Sequence, residues 1–278
     1  MRTTVILIGA LAALCPLAAL AQPSPSSAPP PAGAKYVAMG SSFGAGPGIT
    51  TQADDPPTRC ARSRDNYAHQ LARRHGLKLV DVTCSGATTA HILGPWNELK
   101  PQLDAVDPDT RLVTVTIGGN DVGLTSGLGA EACQTRGAGS ACPATPPEPT
   151  AQAWADLETH LGQIAAEVHR RAPAARLVFV DYTTVLPAEG ACPALSLTPA
   201  QAAASREINR HVVEITAKVA RASGSGLLAA SALTAPHNAC SAQPWANGAS
   251  PPKGSAAFHP RLEAHTAIAE ALDRQIWR

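Results

Sequence analysis

Aromatic residues are scarce. Phe, Trp and Tyr together make up 4% of the 278 positions. A sugar-binding platform or a lipid-anchoring surface built from aromatic rings therefore has little to draw on. No charge of one sign dominates either: 22 Lys+Arg face 21 Asp+Glu, a formal charge of +1. There is no basic excess to displace counterions from a phosphate backbone, so a dedicated DNA or RNA binder is excluded. No CxxC or HExxH occurs, which removes the usual zinc-ligand spacings. Glycine (22) and proline (25) are abundant but follow no triplet period, which excludes collagen. No internal repeat is evident.

Hydrophobic residues are 45% of the chain, enough for a folded core and too many for a disordered tail. The one long apolar run lies at the start. Arg2 supplies a positive charge, Val5 to Leu20 is almost unbroken, and Ala19-Leu20-Ala21 forms a small-residue cleavage site before Gln22. This reads as an export signal over residues 1–21. The run is short for a membrane span of ~20 residues, and Pro16 interrupts it, so no stable membrane anchor is expected. Cys15 follows Leu14, where a lipoprotein signal needs a small residue. Secretion or a periplasmic location follows. Residues 22–34 (QPSPSSAPPPAGA) read as a disordered Pro/Ser-rich leader, and residues 35–278 as the folded domain.

Cysteine usage agrees with export. Without Cys15, six remain: Cys60, Cys84, Cys133, Cys142, Cys192 and Cys240. An even number in an exported chain predicts disulfides, with 15 possible connectivities. Pairing of sequence neighbours is one of them.

Along the domain, strand-like and helix-like segments alternate. Strands are predicted at Tyr36–Met39, Leu77–Val82, Arg111–Ile117, Arg176–Val180 and Leu227–Ala230. Helices are predicted at Asn66–His75, Ala151–Arg171, Pro199–Arg221 and Arg261–Trp277, where apolar residues recur at helical spacing. Two long connections, Gly123–Thr150 and Ser231–Phe258, are expected as loops held by cysteines. This alternation predicts a mostly parallel sheet flanked by helices. Such sheets carry ligands beyond the carboxyl ends of their strands. The polar, glycine-rich segments fall there: Gly40-Ser41-Ser42, Cys84-Ser85-Gly86 and Gly118-Gly119-Asn120-Asp121.

These segments hold the parts of an acyl-transfer site: a nucleophile, a base and donors for an oxyanion. Ser42 lies where a strand meets a glycine-rich turn. Gly86 can present an unobstructed N–H, and Asn120 can offer a side-chain amide. His259 precedes the last helix, with Pro260 suited to its first turn. His265 is the rival base, read as a packing or surface residue. The other seven histidines lack a motif partner. Asp121 reads as a structural partner for a loop N–H, and Trp96 and Trp245 as candidate walls of a cleft.

Taken in order, Gly40-Ser41-Ser42-Phe43-Gly44-Ala45-Gly46, Cys84-Ser85-Gly86, Gly118-Gly119-Asn120-Asp121 and Phe258-His259-Pro260 resemble the motif blocks of the SGNH hydrolases, or GDSL esterases and lipases. The likeness is to their disulfide-containing secreted bacterial branch and runs from about Tyr36 to Trp277. It implies a flavodoxin-like α/β/α sandwich with a five-stranded parallel sheet, and a serine hydrolase that uses no metal or cofactor. By the same resemblance Ser42 is the nucleophile and His259 the base, with the Ser42 N–H, Gly86 N–H and Asn120 side chain as oxyanion donors.

Two positions depart from the family pattern. Ser41 stands where the family usually has Asp, and Ala256 stands where an Asp often orients the histidine. A backbone carbonyl, that of Ala256 or one near it, is therefore expected to hold the ring, giving a Ser-His dyad. The substrate is expected to be a small-molecule or lipid ester, and the chain a monomer. The scarcity of aromatics favours small soluble esters. Lipase or phospholipase A1 action, carbohydrate deacetylation and a non-catalytic binding role on the same fold are the alternatives.

Overall fold

The computed structural model describes residues 28–278. The export signal and residues 22–27 of the leader lie outside the described residues. The elements alternate from the start: β1 (Lys35–Gly40), α1 (Ser42–Ala45), α2 (Tyr67–His75), β2 (Lys78–Asp81), α3 (Thr89–Leu93), β3 (Thr110–Thr116) and α4 (Leu124–Thr135). They continue with α5 (Ala151–Arg171), β4 (Arg176–Val180), α6 (Pro199–Ala222), β5 (Gly226–Leu228), α7 (Ala230–Thr234) and α8 (Leu262–Trp277).

All neighbouring strands pair in parallel, in the order β2-β1-β3-β4-β5. This is the flavodoxin-like order, in which chain direction switches sides at β1. Both faces of the sheet are covered, as its sequence requires: β1 and β3 are almost wholly buried and read as near-continuous apolar runs. Successive side chains serve opposite faces. Tyr36, Ala38, Leu112 and Val178 pack with α2 and α8. Val37, Met39, Val113, Val115, Leu177 and Phe179 pack with α5 and α6. Each large side chain so buried contributes ~1.5–3 kcal/mol of transfer free energy.

Local signals set the helix limits. The Asn66 side chain accepts the His69 N–H and starts α2, and Gly76 in the left-handed region ends it. The Thr150 side chain starts α5, and a capping box of Thr198 and Gln201 with Pro199 at the first position starts α6.

The disulfides join sequence neighbours: Cys60–Cys84, Cys133–Cys142 and Cys192–Cys240. Three expectations need correction. The connection at 123–150 is not wholly loop, because α4 opens it. The connection at 231–258 begins inside α7. The end of the leader is not free either. Pro30 is buried and its carbonyl accepts from Trp277 Nε1 at 3.3 Å, while the Gly33 N–H reaches Gly76 O at 2.8 Å.

Candidate active site

The register of the sheet brings the motif segments to one edge. Gly40 of β1 lies opposite Thr116 of β3, so both strands end at the same level. The Ser41 N–H continues the ladder to Thr116 O at 2.9 Å. The next residue, Ser42, begins α1 and is 5% exposed. As the first N–H of a helix, its amide has no intrahelical acceptor.

His259 reaches Ser42 from the other end of the chain. Its Nε2 lies 2.7 Å from Ser42 Oγ. Its Nδ1 lies 2.6 Å from the carbonyl oxygen of Ala257. A carbonyl only accepts, so Nδ1 carries the proton and Nε2 is left free to accept from the serine hydroxyl. No carboxylate among the described residues takes part. The expectation placed this role on the Ala256 carbonyl or one near it, and the carbonyl that faces the ring is that of Ala257, one residue on. The Ala256 carbonyl instead accepts from the Asn247 side-chain amide at 2.9 Å. Two carbonyls one residue apart are indistinguishable by sequence pattern, and the backbone turn decides between them. That turn is unusual: Phe258, next to the histidine, has φ of 56° and is buried. Strain of this kind persists only where surrounding bonds hold it. Here the Phe258 N–H reaches Gly248 O, and the Asn247 N–H reaches His259 O at 2.9 Å.

Burial lowers the His259 pKa from its ordinary value, and the Ala257 carbonyl opposes that shift. Phe43 packs against the imidazole with ring centroids 5.1 Å apart.

The two other segments singled out by the sequence, with Gly86 and Asn120, follow the adjacent strands β2 and β3. The Cys60–Cys84 disulfide and two bonds from Ser85 to Cys60 O hold the turn after β2. In that turn Gly86 has φ of 86°, and its N–H donates to no protein acceptor among the described residues. A Cβ there would stand 3.2 Å from the Trp96 ring, so Trp96 covers this glycine closely. Trp96 is itself stacked on His91 at 4.2 Å and overlaid by the Arg59 guanidinium at 3.9 Å. Asn120 follows β3. One hydrogen of its side-chain amide is fixed on Ala87 O at 2.9 Å, which leaves the second available. Asp121 receives the Thr89 N–H at 3.0 Å and the Thr89 hydroxyl, as a structural partner should.

His265 does not compete with His259. It is fully buried in α8, its Nδ1 accepts the Tyr67 N–H at 3.2 Å, and burial pushes its pKa down to about 3. Trp245 is stacked on His237 at 3.7 Å. Sequence reasoning missed two neighbours of the site. Asn247 pins the histidine turn, and Tyr182 lies beneath the nucleophile turn. Neither stands in a motif block, and both act across contacts that only the fold creates.

A serine hydroxyl on a neutral imidazole, beside unpaired N–H donors at the carboxyl edge of a parallel sheet, is the arrangement of a serine hydrolase. Comparison with known proteins gives the family. Residues 38–267 match the GDSL-like lipase/acylhydrolase family, and the chain belongs to it. It is a carboxylic ester hydrolase by that membership. Lipase 2 of Streptomyces coelicolor is 33% identical over 256 residues, which cover 87% of this chain and 84% of that protein. The crystal structure of an extracellular lipase from Streptomyces rimosus superposes with a TM-score of 0.71 at 30% identity, covering 87% of this chain and 99% of the other. Phospholipase A1 from Streptomyces albidoflavus NA297 shares the fold, with a TM-score of 0.72 at 23% identity over 87% of this chain and 99% of its own.

Proposed function

We propose that the chain hydrolyses carboxylic esters through a Ser42–His259 dyad and an acyl-enzyme. His259 Nε2 takes the hydroxyl proton as Ser42 Oγ attacks the ester carbonyl. The Ser42 N–H, the Gly86 N–H and the free hydrogen of the Asn120 amide receive the developing oxyanion. Collapse expels the alcohol, which takes the proton back from Nε2. Water then enters by the same route and releases the acid. The Ala257 carbonyl keeps the imidazole in the tautomer that can accept. It carries no net charge, so it stabilises the imidazolium less than a carboxylate would. The observation that carries this reading is the 2.7 Å contact between Nε2 and Oγ with Nδ1 committed to Ala257.

The acyl side favours chains longer than acetyl. A cavity of about 500 Å³ opens beside Phe43, the residue after the nucleophile; Leu124, Leu128, Val185, Leu186 and Val213 line it together with Arg206, Glu207 and Arg210, while Ser42 and His259 do not themselves line it. Its size is that of a pocket for a drug-sized ligand. This shifts the reading away from the small soluble esters that the scarcity of aromatics favoured, and towards lipid-like acyl groups. The chemistry of the Streptomyces relatives points the same way. We also read the chain as exported, with cleavage near Ala21, and as a monomer.

Hydrolysis of p-nitrophenyl acetate, butyrate and palmitate by the mature oxidised chain tests this. Activity is expected to rise from acetate to the longer esters, to vanish in Ser42→Ala and His259→Ala, and to shift back to acetate in Leu128→Trp. Activity that survives in either dyad variant refutes the dyad. A folded parent inactive on every ester supports a binding role instead.

A further inference from the structure

Ser41 is the residue at which this chain departs from the family pattern, and it is also unusual as a helix start. It precedes α1, yet its side chain caps nothing. Serine at such a position normally accepts a backbone N–H of the first turn. Here the hydroxyl is fully buried and shares a hydrogen bond with the Tyr182 hydroxyl at 2.9 Å. Tyr182 follows β4 and is 1% exposed. Its oxygen also faces the backbone of Gly119, whose N–H lowers the phenol pKa against the effect of burial. The backbone of Gly119 is pressed against the phenol: a Cβ there would fall 2.4 Å from the ring, closer than any side chain tolerates. Phe43 lies on the Tyr182 ring with centroids 4.5 Å apart and also packs on His259.

One buried phenol therefore bonds to the residue before Ser42 and packs on the residue before Asn120. Its ring supports the phenylalanine that packs on the base. No main-chain hydrogen bond among the described residues ties the 41–43 turn to the 118–120 turn directly. We propose that Tyr182 is a positioning residue for the reaction: its hydroxyl, bonded to Ser41 Oγ and set against the Gly119 backbone, fixes the distance between the nucleophile turn and the Asn120 amide. The inference rests on the ester-hydrolase reading above. It also accounts for Ser41. A carboxylate at this fully buried position would bear the desolvation cost of a buried charge, whereas a neutral hydroxyl completes the contact without it.

The test is a double-mutant cycle on the full mature chain, with disulfides intact and p-nitrophenyl butyrate as substrate. Tyr182→Phe keeps the ring and removes the bridge. It is expected to lower kcat by ~10–100-fold, since a misplacement of about 1 Å costs up to ~10². KM should change less than about twofold, because the bridge lies beneath the turns and its hydroxyl is buried away from the acyl cavity. The decisive arm is the Asn120→Ala background. If Tyr182 acts by placing Asn120, removing the hydroxyl there should cost less than about threefold. An equal loss in both backgrounds, or a wild-type kcat in Tyr182→Phe, overturns the proposal. Should Tyr182→Phe fail to fold, Ser41→Ala breaks the same bridge from the other side and carries the same two comparisons. The parent enzyme, labelled at Ser42 with a fluorophosphonate beforehand, separates the two claims. A parent that neither labels nor turns over removes the ester-hydrolase reading and this inference with it. A parent that does both, without the coupling, removes Tyr182 alone.

Discussion

Ser42 and His259 meet at a single hydrogen bond, but the segments that bring them there are held by different forces. Ser42 is an extension of the sheet. The Ser41 N–H continues the β1–β3 ladder, the residues around it are buried, and the turn rests on Tyr182. Its position is part of the core and should persist until the core is lost. His259 is held by loop against loop. The Asn247 N–H reaches its carbonyl, the Asn247 side chain holds the carbonyl of Ala256, and the Ala249 N–H ties that strip to Ala194 O. Ala194 lies two residues after Cys192, and the Cys192–Cys240 disulfide closes the connection. Elements held by a few loop bonds open locally at a lower free energy than strands of a buried sheet. Ser42 is therefore fixed by packing, and His259 by hydrogen bonds and one covalent cross-link.

The largest effect short of deleting the dyad is expected on the sheet side. Asn120→Ala removes one oxyanion donor and should lower kcat by ~10²–10³ with little change in melting temperature. Turnover at the wild-type rate would remove Asn120 from the site. The next effect separates the two halves. In Cys192→Ala/Cys240→Ala, activity should be lost on heating well before far-UV circular dichroism reports unfolding of the sheet. In the parent the two transitions should lie closer together. Coincident transitions in the variant would mean that the base is held as firmly as the nucleophile. The smallest effect is on pH. The base must be neutral, and burial lowers its pKa from the ordinary 6.5. The working form therefore persists to lower pH than a free histidine allows. The acid limb of kcat/KM should fall at a pH below 6.5, and a limb at or above that value would contradict the burial argument.

The same division explains what could be read from the sequence. The sheet and its main helices follow from local periodicity and capping, and the bounds of α5 and β4 agree residue for residue with those expected from the pattern. Ser42, Gly86 and Asn120 lie two to five residues after the ends of β1, β2 and β3, in the polar, glycine-rich segments where chemistry is expected. By contrast, α4 (LTSGLGAEACQT) carries Gly127 and Gly129 and no clean apolar stripe. It is helical because the protein packs Leu124 and Leu128 inward. The loop side was least legible. Whether Ala256 or Ala257 faces the imidazole depends on the positive φ of Phe258, which tertiary bonds impose. Asn247 contributes to the site only through those bonds. Tyr182 lies 141 positions from its partner Ser41, so no local pattern marks the pair.

The central claim is that a dyad without a carboxylate activates Ser42. The most direct measurement is the mass shift on brief exposure of the oxidised chain to a fluorophosphonate, followed by peptide mapping, beside His259→Ala. One adduct is expected, on Ser42, formed rapidly in the parent and slowed at least ~10³-fold without the imidazole. An adduct on another residue, or labelling of Ser42 at an unchanged rate in His259→Ala, would contradict it.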